Sequence, residues 1–164
     1  MIPVHIVGLA LDVKSQPVVI LKPVGEETGE GRMLPIWIGG LEAAAILQGV
    51  NGDPAPRPLT LDLMRHVLEA LDASVERIAI TRIEGGTFYA EITLSTPAGQ
   101  IVLDARPSDA LGLAVRTGTV IWAAESVLDD AAIPDDREHE VDEEAEVEAF
   151  TKFLEDVEPE DFQG

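Results

Sequence analysis

The sequence predicts an α+β protein, a mixed sheet with helices packed against it. Two observations carry this expectation. Apolar, β-branched runs recur at residues 4–13, 17–24, 75–84, 87–95 and 100–105, each bounded by glycine, proline or small polar residues. Between them lie segments of helical composition at 41–52, 59–73 and 108–117, so strands come in groups and are not regularly interleaved with helices.

Taken in order, "VHIVGLALDV" and "PVVILKPV" read as two strands joined by Lys14-Ser15-Gln16, a hairpin. Residues 25–32, "GEETGEGR", form a polar loop, and "MLPIWIGG" is a short buried strand closed by two glycines. "LEAAAILQGVNG" is a compact helix ending at Gly49 or Gly52, and "DPAPRP" is an exposed connection with three prolines. "LTLDLMRHVLEALDA" places Leu61, Met64, Val67, Leu68 and Leu71 on one helical face, with Thr60 as N-cap.

Strands resume at 75–84 and 87–95 around Gly85-Gly86, a two-residue hairpin signature that needs positive φ. The strand "QIVLDA" leads through Arg106-Pro107 into the helix "SDALGLAVRT", which Gly118 closes, and "TVIWAA" is a last short strand. The order of three strands and a small-residue helix thus occurs twice. Leu41-Glu42-Ala43 aligns with Ser108-Asp109-Ala110, 67 residues on, which suggests an internally duplicated β-β-β-α unit.

Charge divides the chain into a body at 1–128 and an acidic C-terminal segment at 129–164. Of 31 acidic and 11 basic residues, the segment after 128 holds 16 acids and only Arg137 and Lys152 as bases. Val141, Ala145, Phe150, Phe153, Leu154 and Val157 recur there at helical spacing, so a solvated acidic loop followed by one helix, about 138–156, is expected. The net charge of −20 repels phosphate backbones at long range, so any nucleic-acid function needs a local basic patch or metal ions.

Apolar residues make up 46% of the chain, yet no run of about 18 apolar residues occurs, so no membrane span is expected. The N-terminus reads as a first strand and not as a signal peptide. With no cysteine there is no disulfide framework and no thiolate metal site, and a cytoplasmic protein is expected. Phosphate-loop, HExxH, CxxC, GxSxG and GxGxxG motifs are all missing. His5, His66 and His139 share no ligand spacing, and Trp37 and Trp122 fall in strand patterns that read as core.

The chemistry-bearing residues gather at one corner, "DARPSDA". Ser108 is expected to be the helix N-cap, with Asp109 in the first turn facing the positive end of the helix dipole. That accounts for both residues by structure alone. A functional reading stands beside it: Asp104, Arg106 and Asp109 as catalytic residues, with Asp104, Asp109 and Glu42 holding Mg²⁺ or Mn²⁺. Such an ion would polarise a phosphodiester and activate water, while Arg106 stabilises the developing charge and Arg57 and Arg116 bind substrate.

"LPIWIGGLEAAAI", "RPLTLDLMRHVLEAL" and "DARPSDALGLAVRTGTVIWAAESVL", in this order and spacing, resemble the bifunctional nuclease (BFN) domain family over roughly residues 4–128. The ending "FTKFLEDVEPEDF" resembles the C-terminal helix of its bacterial members. The resemblance implies an α+β domain that forms homodimers and a nuclease active on both RNA and DNA. Asp62, Asp104, Arg106, Ser108 and Asp109 match the family pattern. Leu61 departs from it, standing where relatives often carry histidine. Two functions are therefore expected in competition: a metal-assisted nuclease, or a non-catalytic dimeric module binding a small anionic ligand or a protein partner. For pairing two chains, the apolar strands 4–13 and 119–123 are the candidate edges.

Overall fold

The structure, a computed structural model, describes residues 1–52 and 54–136. Eight strands form one mixed sheet: β1 (Ile2–Leu11), β2 (Pro17–Pro23), β3 (Arg32–Trp37), β4 (Ser74–Glu84), β5 (Thr87–Thr96), β6 (Gly99–Ala105), β7 (Ile121–Ala123) and β8 (Ile133–Pro134). Their order across the sheet is β6-β5-β4-β7-β1-β2-β3-β8. Neighbours are antiparallel except β4 and β7, where Ala79 pairs with Trp122 in a parallel register. Four helices stand with it among the described residues: α1 (Gly40–Asn51), α2 (Thr60–Ala70), α3 (Pro107–Thr117) and α4 (Glu125–Ala131).

The expected α+β class and mixed sheet are present. Two antiparallel meanders, β1-β2-β3 and β4-β5-β6, each lead into a helix, and β7 lies between them. The N-caps of α1 and α3, Gly39 and Arg106, are 67 residues apart, and Glu42 and Asp109 each stand in the first turn. Both helices end on a left-handed glycine, Gly52 at φ 68° and Gly118 at φ 67°.

The core explains why the helices carry small residues. α1 and α3 lie against one another, α3 also packs on α2, β4 and β5, and α1 packs on β2. Val19, Leu21, Leu34, Ile46, Ile78, Ile80, Leu111 and Leu113 are buried between these layers. A Cβ on Gly49 would come within 2.5 Å of Val115 Cγ2, and one on Gly112 within 2.5 Å of Leu61 Cδ1. Glycine at these two positions lets three helices approach closely.

Several expectations need correction. Strands β1 and β7 are interior, β1 flanked by β7 and β2, and β7 by β4 and β1, so neither offers an edge. The edges among the described residues are β6 and β8. Ile101, Val102 and Leu103 of β6 are exposed. The predicted apolar face of α2 is covered only in part: Leu61 is buried and Leu68 half-buried, while Met64, Val67 and Leu71 are exposed. Thr60 is the first helical residue, and Leu59 is the N-cap. Asp62, the third helical residue, reaches back to accept the Leu59 N–H on Oδ2 at 3.0 Å, the bond a capping box makes from that position.

The fold also runs past residue 128. α4 crosses that position, and β8 pairs with Arg32 and Met33 of β3, so this stretch is not a solvated loop. Asp135 is buried against Lys22, whose ammonium also donates to the carbonyls of Glu27 and Glu30. A lysine inside a strand buried on both faces is tolerable because a carboxylate and two carbonyls meet it there. The helix expected at 138–156 lies outside the described residues.

Candidate active site

Arg106 is the N-cap of α3, with Pro107 at the first helical position. Proline suits that position because its missing N–H would have had no intrahelical partner there, and its fixed φ begins the helix. The cap therefore falls two residues before Ser108, and the expected Ser108 cap does not form. Ser108 is instead buried, at 7% exposure, and its hydroxyl makes no hydrogen bond to another described residue.

The Arg106 side chain is 64% exposed, and its guanidinium holds two acids at once. Nε donates to Asp109 Oδ2 at 2.7 Å and Nη2 to Asp109 Oδ1 at 2.9 Å, a fork on one carboxylate. Nη1 donates to Glu42 Oε1 at 3.0 Å, tying the first turns of α1 and α3 together. These bonds, chiefly those donated to Asp109, push the pKa of Arg106 above its ordinary value. A guanidinium has five N–H groups, so two remain beyond these three bonds.

Arg106 borders a cleft of about 630 Å³, and Glu42 and Asp109 stand behind it, bound to its guanidinium but not lining the space. Its walls include Trp37 to Gly40 on one side and Gly86 to Phe88 on the other, with Arg106, Pro107 and Ser108 between. The starts of α1 and α3 both line it, and the first-turn amides of a helix lack intrahelical acceptors. Each helix N-terminus contributes roughly half a positive charge. One guanidinium and two such termini face two carboxylates, so the site is close to neutral in a strongly acidic protein.

Trp37 is not core. It ends β3 with 53% of its surface exposed, and its indole Nε1–H donates to Asp12 Oδ2 at 3.0 Å. Asp12 is held below the usual carboxylate range by the backbone N–H of Gln16 and by this indole bond. Trp122 is half-buried, with the Arg77 guanidinium 5.3 Å from its ring centroid.

The other candidate residues fall elsewhere. Asp104 pairs with Glu91 across β5 and β6, whereas Leu103 and Ala105 oppose the buried Ile92 and Ala90. Strand alternation therefore puts Asp104 on the opposite face of the sheet from the residues under the helices. Arg57 is exposed in the loop before α2 and does not line the cleft. The side chain of Arg116 is only 6% exposed. Its Nε donates to Asp62 Oδ1 at 2.7 Å, and Nη1 to the carbonyls of Ala45 and Gly112 at 3.0 and 2.9 Å. It is a structural tie between α1, α2 and α3; its three bonds leave the two Nη2 N–H groups, and the side chain does not line the Arg106 cleft.

The residues present do not fit the expected Mg²⁺ or Mn²⁺ site. Glu42 and Asp109 are brought together, but around Arg106, and Asp104 is not with them. Among the described residues no group of three or more His, Cys, Asp or Glu side chains is placed to hold an ion.

The model of the bifunctional nuclease domain matches residues 19–136 of this chain. The chain belongs to the bifunctional nuclease domain family. Within that family it is 40% identical over 167 residues to an uncharacterized protein of Mycobacterium tuberculosis, with 98% of each chain covered. It is 24% identical over 108 residues to Bifunctional nuclease 1 of Arabidopsis thaliana, covering 64% of this chain and 32% of that protein. Against Bifunctional nuclease 1 of Oryza sativa subsp. japonica the identity is 26% over 93 residues, 55% of this chain and 28% of the other. The chain thus spans about a third of the length of these plant proteins. Leu61 packs against Gly112 in the interface of α2 and α3 and does not line the cleft.

Proposed function

We propose that this protein is a nuclease that hydrolyses phosphodiester bonds of RNA and DNA at the Arg106 cleft. Beside the family membership, one observation supports the reading most. Arg106 stands at the cap of α3 in a cleft that the start of α1 also lines, and two of its N–H groups are not engaged by Glu42 or Asp109. Those are the donors a phosphate oxygen needs, and local cancellation of charge offsets the repulsion expected from a net charge of −20.

In this reading the substrate phosphate competes with the carboxylates for the guanidinium. A carboxylate so released, Asp109 or Glu42, accepts a proton from the attacking water. The water oxygen bonds to phosphorus, the ester P–O bond breaks, and the leaving alkoxide takes a proton from solvent. Arg106 and the helix-start amides stabilise the negative charge that builds on the phosphoryl oxygens. No step is assigned to Mg²⁺ or Mn²⁺, because Asp104 lies apart from Glu42 and Asp109 and no group of three such side chains among the described residues is placed to hold an ion.

The test is purified protein on labelled RNA and DNA, with Mg²⁺, with Mn²⁺ and with EDTA. Cleavage that follows the protein through size exclusion and persists in EDTA is expected. Absence of cleavage would leave the second reading, a dimeric module that binds a small anion at the same cleft. The open edge of β6 favours a dimer, since Ile101, Val102 and Leu103 are exposed on an edge strand without lysine or proline to guard it.

A further inference from the structure

We infer that the cleft seats a single unpaired nucleotide, its base stacked on the Trp37 indole and its phosphate held by Arg106 and Ser108. This rests on the proposed nuclease reading and deepens it by naming the substrate as single-stranded nucleic acid. Three observations converge. First, a tryptophan is costly to leave in water, and 53% of the surface of Trp37 is exposed. Its indole N–H is tied to Asp12, so the ring is held in place while its surface stays open. Asp12 is itself fixed by the backbone N–H groups of Lys14 and Gln16, at 2.8 and 2.9 Å.

Second, Ser108 is more than nine-tenths buried and lines the same cleft, yet its hydroxyl has no partner among the described residues. The oxygen is not among the buried atoms left without a partner, so it reaches the cleft, where a ligand oxygen can accept from it. Third, Arg106 borders the same space and retains N–H groups beyond its bonds to Glu42 and Asp109. An aromatic face beside a hydroxyl donor and a guanidinium, in a space of about 630 Å³, matches the base and phosphate of one nucleotide better than it matches a bare anion. A bare anion would leave Trp37 unused.

The base must be unpaired. In a duplex both faces of a base are already stacked, and it cannot lie on Trp37 while its own phosphate reaches Arg106. Stacking is also tolerant of sequence, because every base has a π-face. The chain therefore needs no base-reading groups to act on both RNA and DNA.

The test uses the full chain and a short fluorescein-labelled oligothymidylate in EDTA, reading anisotropy for binding and tryptophan emission for stacking. Wild type should bind with quenched emission, and a hairpin duplex of the same composition class should bind at least tenfold more weakly. Trp37→Phe should keep the affinity within about threefold while the quenching disappears, because Trp122 lies outside the cleft. Trp37→Ala should lose roughly tenfold or more in affinity. Equal binding of wild type and Trp37→Ala, or quenching that survives in Trp37→Phe, would overturn the inference. Cleavage measured in parallel keeps the two ideas apart. If wild type cuts and Trp37→Ala binds and cuts equally well, the nucleotide seat is wrong and the nuclease reading stands. If wild type binds with quenching and does not cut, the seat stands and the nuclease reading falls.

Discussion

Arg106 grips Asp109 with a fork, Nε to Oδ2 and Nη2 to Oδ1, on the rim of a cleft it shares with Trp37. The two residues are three positions apart, at the cap and first turn of α3, so the helix itself sets their spacing. If an incoming phosphate must displace that carboxylate, Asp109→Asn should separate binding from turnover. Oligonucleotide affinity should rise several-fold, because a competing negative charge is gone, while cleavage slows by about 10²-fold if Asp109 is the base. Titration and initial rates on one preparation check both. Stability should change by less than about 1 kcal/mol, since the pair is exposed.

Arg116 should behave in the opposite way. It is buried and ties Asp62 to the carbonyls of Ala45 and Gly112. Arg116→Ala should destabilise the fold by roughly 2–4 kcal/mol in urea denaturation, leaving the Asp62 charge and two carbonyls without their donor. Arg116→Lys should recover little, because one ammonium cannot reproduce the fork.

The acid limb of stability should depend on Asp62. Its pKa lies below the ordinary 3.8, chiefly because it accepts the Leu59 N–H and then because of Arg116. A lowered folded pKa stabilises the protein above the unfolded value, and that stability is lost as pH falls through the folded pKa. Melting temperatures between about pH 5 and pH 2 should therefore fall more steeply for wild type than for Asp62→Asn, while near neutral pH the variant is the less stable of the two.

Lys22 and Asp135 form a buried pair joining strand β2 to the chain beyond β8. Asp135→Ala should cost roughly 3–5 kcal/mol, because it strands an ammonium in the interior. Lys22→Met with Asp135→Leu should recover much of that loss, measured by denaturation of the singles and the double.

The β6 edge gives a prediction about assembly. Antiparallel pairing of two β6 strands about Val102 would use all of Gly99–Ala105, with Ile101 opposite Leu103 and Gln100 opposite Asp104 of the second copy. Val102→Lys should then turn a dimer into a monomer in size exclusion coupled to light scattering. An unchanged mass would rule out this edge.

Much of the backbone is legible in the sequence, because its signals are local. Gly85-Gly86 announces a hairpin and indeed takes φ of 57° and 80°, and Gly118 closes α3 as expected. The site is less legible. Ser108 reads as a cap because serine is a good one, but Pro107 at the first helical position moves the cap to Arg106 and leaves the serine facing the cleft. Trp37 reads as core because "MLPIWIGG" is apolar throughout, and nothing local says that the strand's last residue lies beyond its cover. Arg116 reads as a substrate arginine until its partners appear, from Ala45, Asp62 and Gly112 in different helices. Strand parity alone places Asp104 on the face opposite Leu103 and Ala105. The lone lysine in "VVILKPV" signals a buried partner, but Asp135, 113 residues on, could be found only in three dimensions.

The central claim is that Arg106 is where phosphodiesters are held and cleaved, and it is tested most directly by single-turnover cleavage of a labelled RNA by wild type and Arg106→Ala. The variant should lose at least about 10²-fold in rate, as expected when a preorganised donor to developing phosphoryl charge is removed. Its melting temperature should stay within a few degrees of wild type, since the side chain is largely exposed. Equal rates for a folded Arg106→Ala and wild type would contradict the account.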